Sequence, residues 1–222
     1  METGKIVRPS KELIEEFRHL GVSTIGNVLD DLGISGIIQN IKPIYPGLRF
    51  AGCALTVKEI TGVLGTYSNE DFKLGPVIDS AQENDVIAID NGGHQVSTWG
   101  EIASLAAQMR GVKGLIVDGG VRDCDEMKEL QFPVFSRHVV ATSGKTRVKI
   151  LSMNTVIKID GIRVRPGDIL VGDGTGIACI PMEVAHKVLQ DAQKLNQQDQ
   201  QAIGEIRQGL SFTEALAKFT KI

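Results

Sequence analysis

Two short stretches hold most of the residues able to do chemistry. The first runs Asp90-Asn91-Gly92-Gly93-His94-Gln95-Val96-Ser97-Thr98-Trp99-Gly100-Glu101, the second Asp118-Gly119-Gly120-Val121-Arg122-Asp123. Arg122 carries a planar guanidinium whose fork suits a carboxylate. Asp123 is a hard oxygen ligand suited to Mg²⁺ or Mn²⁺, ions that keep several waters and need few protein ligands. Gly100 removes a side chain where a ligand would approach the backbone. His94 is a further candidate acid or base, although a lone loop histidine is more often incidental.

Each residue also has a plainer reading. Thr98-x-x-Glu101 has the spacing of a capping box, in which Glu101 closes a helix end. Asp123 suits the N-cap of a helix starting at Cys124, with Glu126 completing a second box. Arg122 suits a surface ion pair with Asp118 or Asp125. The functional reading rests on these features falling together at one end of a sheet.

That sheet is legible around both stretches. Residues 86–89 are a continuous apolar run, as expected of a strand buried on both faces. A helix over about 99–110 follows, then a strand at 115–117, a helix over 124–130 and a strand at 134–136. This rhythm implies parallel strands with crossover helices. Ligands of such sheets bind beyond the carboxyl ends of the strands, so both stretches should face one crevice. Free N–H groups at the start of the helix near Trp99 would favour an anion there.

The flanks complete one α/β domain spanning 1–222. Helices are expected over 10–20 and, capped by Ser23 or Thr24, through Leu32; a strand covers 49–61 and a helix 72–82. Short strands at 155–159, 162–164, 169–172 and 177–180 read as antiparallel hairpins. A helix follows over 182–208, and its polar middle, 196–201, is a candidate break. Ser211-Phe212-Thr213-Glu214 is a capping box for a last helix ending near Phe219.

Composition narrows the class. A net charge of −3 with scattered Lys and Arg argues against a nucleic-acid partner. No apolar run is long enough to span a membrane, and the N-terminus lacks the pattern of a secretion signal. Cys53, Cys124 and Cys179 are odd in number with no CxxC pair, so reduced thiols in a cytoplasmic protein are expected.

With these residues in view, the chain resembles the family of 4-hydroxy-4-methyl-2-oxoglutarate aldolase and regulator of ribonuclease activity A. The family pattern is an acid, twenty intervening residues, then Arg-Asp; here Glu101 and Arg122-Asp123 enclose residues 102–121. Trp99-Gly100-Glu101, Phe132-Pro133-Val134-Phe135 and Val164-Arg165-Pro166-Gly167-Asp168 also match. The resemblance covers about residues 22–190. It implies a mixed-sheet barrel of the swivelling phosphohistidine-like type flanked by helices. It also implies trimers or hexamers with active sites between subunits.

By the same resemblance, Asp123 holds Mg²⁺ or Mn²⁺, and Arg122 with the backbone N–H groups of Gly100, Glu101, Ile102 and Ala103 grips a 2-oxo carboxylate. Glu101 positions a water. The implied activity is a metal-dependent lyase that releases pyruvate by way of an enolate, through retro-aldol cleavage or oxaloacetate decarboxylation. The alternative is a non-catalytic protein that binds and regulates an RNA-degrading enzyme. A methyltransferase reading lacks the acidic residue expected of an S-adenosylmethionine site. A Schiff-base route has only Lys113 within the core segment. Where aldolase members tend to carry further acids, this chain has Asn27, Gly174 and Thr175.

Overall fold

The computed structural model describes residues 1–219. In chain order the elements are β1 (Glu2–Thr3), α1 (Lys11–Arg18), α2 (Val22–Asp31), β2 (Ile37–Ile38), β3 (Lys42–Pro43) and β4 (Phe50–Thr61). Then come α3 (Leu74–Ser80), β5 (Asp85–Asp90), β6 (Ser97–Trp99), α4 (Glu101–Met109), β7 (Gly114–Val121), α5 (Cys124–Glu129) and β8 (Val134–Val139). Last are β9 (Val148–Met153), β10 (Ile157–Ile159), β11 (Ile162–Val164), β12 (Ile169–Asp173), β13 (Gly176–Ile180), α6 (Ala185–Arg207) and α7 (Phe212–Lys218).

Strands β4, β5, β7 and β8 pair in parallel, as the alternation of apolar strands and helices predicts. β12 and β13 continue the sheet antiparallel beyond β4, and β10–β11 form a separate hairpin. Strand side chains alternate between faces. Ile87 and Ile89 of β5 therefore enter the core beneath α3, α4 and α5, while Val86 and Ala88 pack on the opposite face with Ile157, Ile159 and Val164. A third core joins α1, α2 and α6 to Ile169 and Val171 of β12.

Several local expectations change. α2 starts two residues earlier than a Ser23 cap allows and three earlier than a Thr24 cap, because Gly21 is its N-cap and distant Asp173 accepts the Val22 N–H (3.0 Å). Residues 97–99 are a strand paired with β7, not the first turn of a helix. β9 is an additional strand, antiparallel to β4. α6 runs unbroken through its polar middle because Leu195 and Ala202, two helical turns apart, keep its buried face apolar. α1 and α7 carry the expected caps, from Ser10 and from the Ser211–Glu214 box.

One side chain in β4 runs against its surroundings. A bulge leaves Leu151 of β9 unpaired opposite Lys58 and Glu59. Lys58 reaches Asp90 (2.8 Å), whereas Glu59 continues the face of Leu55 and Val57 into the core and is 1% exposed. Burial pushes the Glu59 carboxyl up from its ordinary 4.5 to about 8, opposed by the Thr98 hydroxyl, reinforced by Asp90 and opposed by Lys58.

The linkage has a definite sign. Between about 4.5 and 8 the folded chain keeps a proton that the unfolded chain has released, so stability falls as pH rises through that window. The loss is on the order of a few kcal/mol. Glu59→Gln should flatten this decline and be the more stable protein near the alkaline end. Denaturant unfolding of both proteins across the window checks this; identical slopes would mean that Glu59 ionises as an ordinary carboxyl.

Candidate active site

β5 and β7 lie side by side, and each ends in one of the chemistry-bearing stretches. After Asp90 the chain loops back into the sheet as β6, whose Ser97 and Trp99 pair with Gly120 and Val121. It then turns at Gly100 into α4. Trp99 Nε1 donates to Ser104 Oγ (2.9 Å), and that hydroxyl donates to the Gly100 carbonyl (3.0 Å). Arg122 N–H donates to the Trp99 carbonyl (3.0 Å), which ties the second stretch to the first.

The closest approach is between Gly100 and Asp123. A β-carbon on Gly100 would stand 2.2 Å from Asp123 Oδ2, so the carboxylate would have to move aside to admit one. That oxygen accepts the Glu101 N–H (3.3 Å) and lies 3.5 Å from Arg122 Nε. Asp123 itself sits in the left-handed region (φ 58°, ψ 43°). For a residue with a β-carbon this costs about 1–2 kcal/mol.

These contacts bear on the plainer readings. Asp123 occupies the N-cap position of α5, but its side chain makes no cap bond there and crosses to α4 instead. The Thr98–Glu101 capping box does not form; Gly100 is the N-cap of α4, and Thr98 Oγ1 is buried without a partner. Arg122 lies against Asp123 rather than Asp118 or Asp125. Asp118 belongs to Arg137 (2.6 Å).

A cleft of about 370 Å³ opens at this point. Ser97, Thr98, Trp99 and Gly100 form one side, Phe72, Leu74 and Ile78 an apolar wall, and Ile102 and Ala103 of α4 the other side, with Arg122 and Asp123 at the rim. A small anion with a short carbon chain matches this combination of one polar end and an apolar wall. Glu101 contributes its backbone N–H, while its side chain is exposed and outside the lining. Among the described residues no three His, Cys, Asp or Glu side chains converge. A cation at Asp123 would therefore draw its other ligands from water and substrate, which Mg²⁺ accepts.

The single crevice expected from the sequence is in fact two. Gly92 and Gly93 line a larger cleft, about 930 Å³, with Lys58, Asp90, Asp118, Arg137 and Asp160. His94 is exposed and lines neither. In the larger cleft Lys58 pairs with Asp90 (2.8 Å), and Arg137 pairs with both Asp118 (2.6 Å) and Asp160 (2.7 Å). Burial opposes ionisation of Asp160, but Arg137 and the Asn40 and Gln39 donors outweigh it and hold the group at about 2. These matched charges join β7, β8 and the β10–β11 turn. In the smaller cleft Arg122 and Asp123 are half-exposed and open to a ligand.

The Phe72 wall carries no motif and was missed in the sequence, and Thr98 was read there only as part of a capping box. Glu59, buried in β4, had one signal: an acid in a strand otherwise apolar toward its core face.

Known proteins share this arrangement of elements. The family model described as RraA-like, Aldolase/RraA, matches residues 24–179. A protein of Halalkalibacterium halodurans, named provisionally as a 4-hydroxy-4-methyl-2-oxoglutarate aldolase, is 31% identical over 191 residues, covering 85% of this chain and 86% of its own length. A solved structure of an uncharacterised protein from Pseudomonas syringae is 30% identical with a TM-score of 0.84, covering 94% of this chain and 98% of that one. Streptomyces coelicolor RraAS2, titled an unusual member of the RNase ES inhibitor RraA protein family, has a TM-score of 0.77 at 21% identity, a likeness of fold. It covers 88% of this chain and 98% of its own. The matched span takes in β6, α4 and the Arg122-Asp123 turn, and the chain belongs to the RraA-like family.

Proposed function

We propose that this protein is a carbon–carbon lyase that acts on small 2-oxo acids with one divalent cation. The reactions are retro-aldol cleavage of 4-hydroxy-2-oxo dicarboxylates, decarboxylation of oxaloacetate, or both. The observation that carries the reading is the Asp123 carboxylate lodged against the Gly100 backbone beside Arg122. One oxygen of this half-exposed carboxylate accepts the Glu101 N–H at the start of α4, and the other is left for a ligand. The provisional name of the Halalkalibacterium relative supports the same chemistry. A protein that only binds and regulates an RNA-degrading enzyme has no use for this seat.

Asp123 would hold Mg²⁺ or Mn²⁺. When bound, the cation draws electron density from the 2-oxo group. Arg122 presents its fork to the substrate carboxylate and stays beside the negative charge that develops as the bond breaks. Donors placed in this way are worth about 3–4 kcal/mol in other enzymes. The Ile102 and Ala103 N–H groups precede the first hydrogen bond of α4, from Ser104 to Gly100, and favour an anion at the same end. Glu101, exposed at the start of α4, would hold a water beside the cation.

α4 also exposes Ile102, 83% accessible, with Leu105 and Met109 at the spacing of one helix face. This apolar stripe begins one residue after Glu101, so a second copy covering it would complete the cleft. A trimer or hexamer with sites between subunits is the assembly proposed. Light scattering should report one of these, and a monomer would remove the shared-site model.

Turnover should vanish on chelation and return with Mg²⁺ or Mn²⁺. Gly100→Ala should displace Asp123, lowering activity by roughly 10²-fold, as a misplacement of about 1 Å does elsewhere, and weakening Mn²⁺ binding in calorimetry. Gly204→Ala in α6, with nothing within 4 Å of its β-carbon, is the control. Full turnover after exhaustive chelation would reject the cation.

The retro-aldol cut needs a base for the 4-hydroxyl, and decarboxylation does not. Asn27, Gly174 and Thr175 are exposed and none is a carboxylate. On one preparation at saturating Mg²⁺, oxaloacetate should therefore turn over faster than 4-hydroxy-4-methyl-2-oxoglutarate. The reverse order would show that the additional acids are not needed.

A further inference from the structure

At the smaller cleft Arg122 and Asp123 would take the reactive end of a substrate, and the rest of the lining describes its other half. Arg122 is the one cation in that lining and Asp123 the one anion. Beyond them the walls are Phe72, Leu74 and Ile78 on one side, and Ile102, Ala103 and Ala106 of α4 on the other.

Few polar groups interrupt these walls. Ser97 Oγ donates to the Trp99 carbonyl (3.0 Å), Thr98 Oγ1 is buried, and Ser143 Oγ accepts the Lys145 N–H (3.1 Å). Four further cations belong to neighbouring segments, yet none lines the cleft. Lys73 and Lys145 are exposed, Arg147 donates to the Ser143 carbonyl (2.9 Å), and Lys149 pairs with Asp71 (3.1 Å). A carboxylate at the far end of a substrate would lose its water here and gain no cation, whereas a hydrocarbon would gain from burial.

We propose that the preferred substrates are 4-hydroxy-2-oxo monocarboxylates that carry an alkyl or aryl group beyond C4, so that the half leaving as an aldehyde is apolar. This substrate class rests on the lyase reading; dicarboxylates share the reactive end and are the poorer substrates. At about 370 Å³ the cleft lies at the small end of ligand pockets, which suits a short alkyl chain or a single ring. Cleavage breaks the C3–C4 bond. Its electron pair stays on C3, which takes a proton from solvent to become the methyl group of pyruvate. The 4-hydroxyl gives its proton to solvent, and C4 leaves as the aldehyde carbonyl. One substrate thus yields one pyruvate and one apolar aldehyde.

Two substrates of equal length isolate the tail. 4-Hydroxy-2-oxoheptanoate ends in a methyl group, and 4-hydroxy-2-oxoheptanedioate ends in a carboxylate. Pyruvate release from each is followed with Mg²⁺ present, beside oxaloacetate and the shorter 4-hydroxy-2-oxopentanoate. The heptanoate should exceed the heptanedioate by roughly tenfold or more in kcat/KM. It should exceed the pentanoate by roughly fourfold for each methylene buried. Ala106→Arg places a cation on the exposed side of α4, one turn after Ile102, and should lower the first ratio by roughly tenfold through KM for the heptanedioate. Leu74→Arg brings the same charge from α3 and decides if Ala106→Arg disturbs assembly.

Equal or better turnover of the heptanedioate by the wild-type protein overturns the apolar class and leaves the lyase standing. Pyruvate from oxaloacetate alone does the same. A preference for the heptanoate that neither variant shifts also overturns it, since the tail would then lie elsewhere. Pyruvate from none of the four substrates overturns the lyase reading and the substrate class with it.

Discussion

A carboxylate oxygen 2.2 Å from where a β-carbon would stand keeps its place only while position 100 is glycine, and much of the site follows from that contact. With Gly100 as its N-cap, α4 begins without a side-chain cap, and Asp123 supplies the missing acceptor to the Glu101 N–H. Asp123 therefore serves the helix across the cleft rather than α5, whose start it occupies. The left-handed backbone at Asp123 is the consequence, since it turns the side chain away from α5. One interaction thus joins the ends of two parallel strands and leaves Arg122 and Asp123 together at a half-exposed rim.

How much of this can be read from residue order depends on the physical origin of each feature. β5 and β7 are legible because strands covered on both faces must be apolar throughout. β6 is not, because Ser97-Thr98-Trp99 has no periodicity and its residues also suit a helix start; pairing with Gly120 and Val121 settles the matter. β9 depends in the same way on a partner distant in sequence. The glycines show the limit most clearly. Gly92 and Gly93 have φ values of 62° and 75° and serve a turn, whereas Gly100, at φ −159°, is extended and serves only to make room. Sequence presents them as one Gly-rich segment facing one crevice, and coordinates separate them into two. Arg122 and Asp123 stand out by residue type and by their distance from Glu101. Glu59 received no reading from the sequence, because its burial depends on which face of β4 the helices cover.

The two clefts differ in what their charges are free to do. Around Arg137 every named carboxylate has its cation, and this network fixes the β10–β11 turn to the sheet. At the smaller cleft Arg122 meets Asp123 at 3.5 Å through Nε, a loose contact that leaves most of the guanidinium fork available. Size is therefore a poor guide here, and unmet hydrogen-bonding capacity a better one.

The same criterion applies inside the core. Asp123 keeps a strained backbone, Glu59 keeps a proton and two unbonded oxygens, and Thr98 keeps an unpaired hydroxyl, all within one region of the sheet. Local departures from the most stable choice persist only where the surrounding structure holds them in place. Here the holding is done by Ile87, Ile89, Leu115 and Val117 on the central strands, with Trp99 anchored through Ser104 above them. Those side chains lie in one packed cluster, so the strain at Asp123 and the unmet polarity at Glu59 rest on a common support. A substitution that relaxed the backbone at Asp123 would be expected to make the protein more stable and the site less able to hold its charge, which is the opposition that separates a built site from an accident of packing.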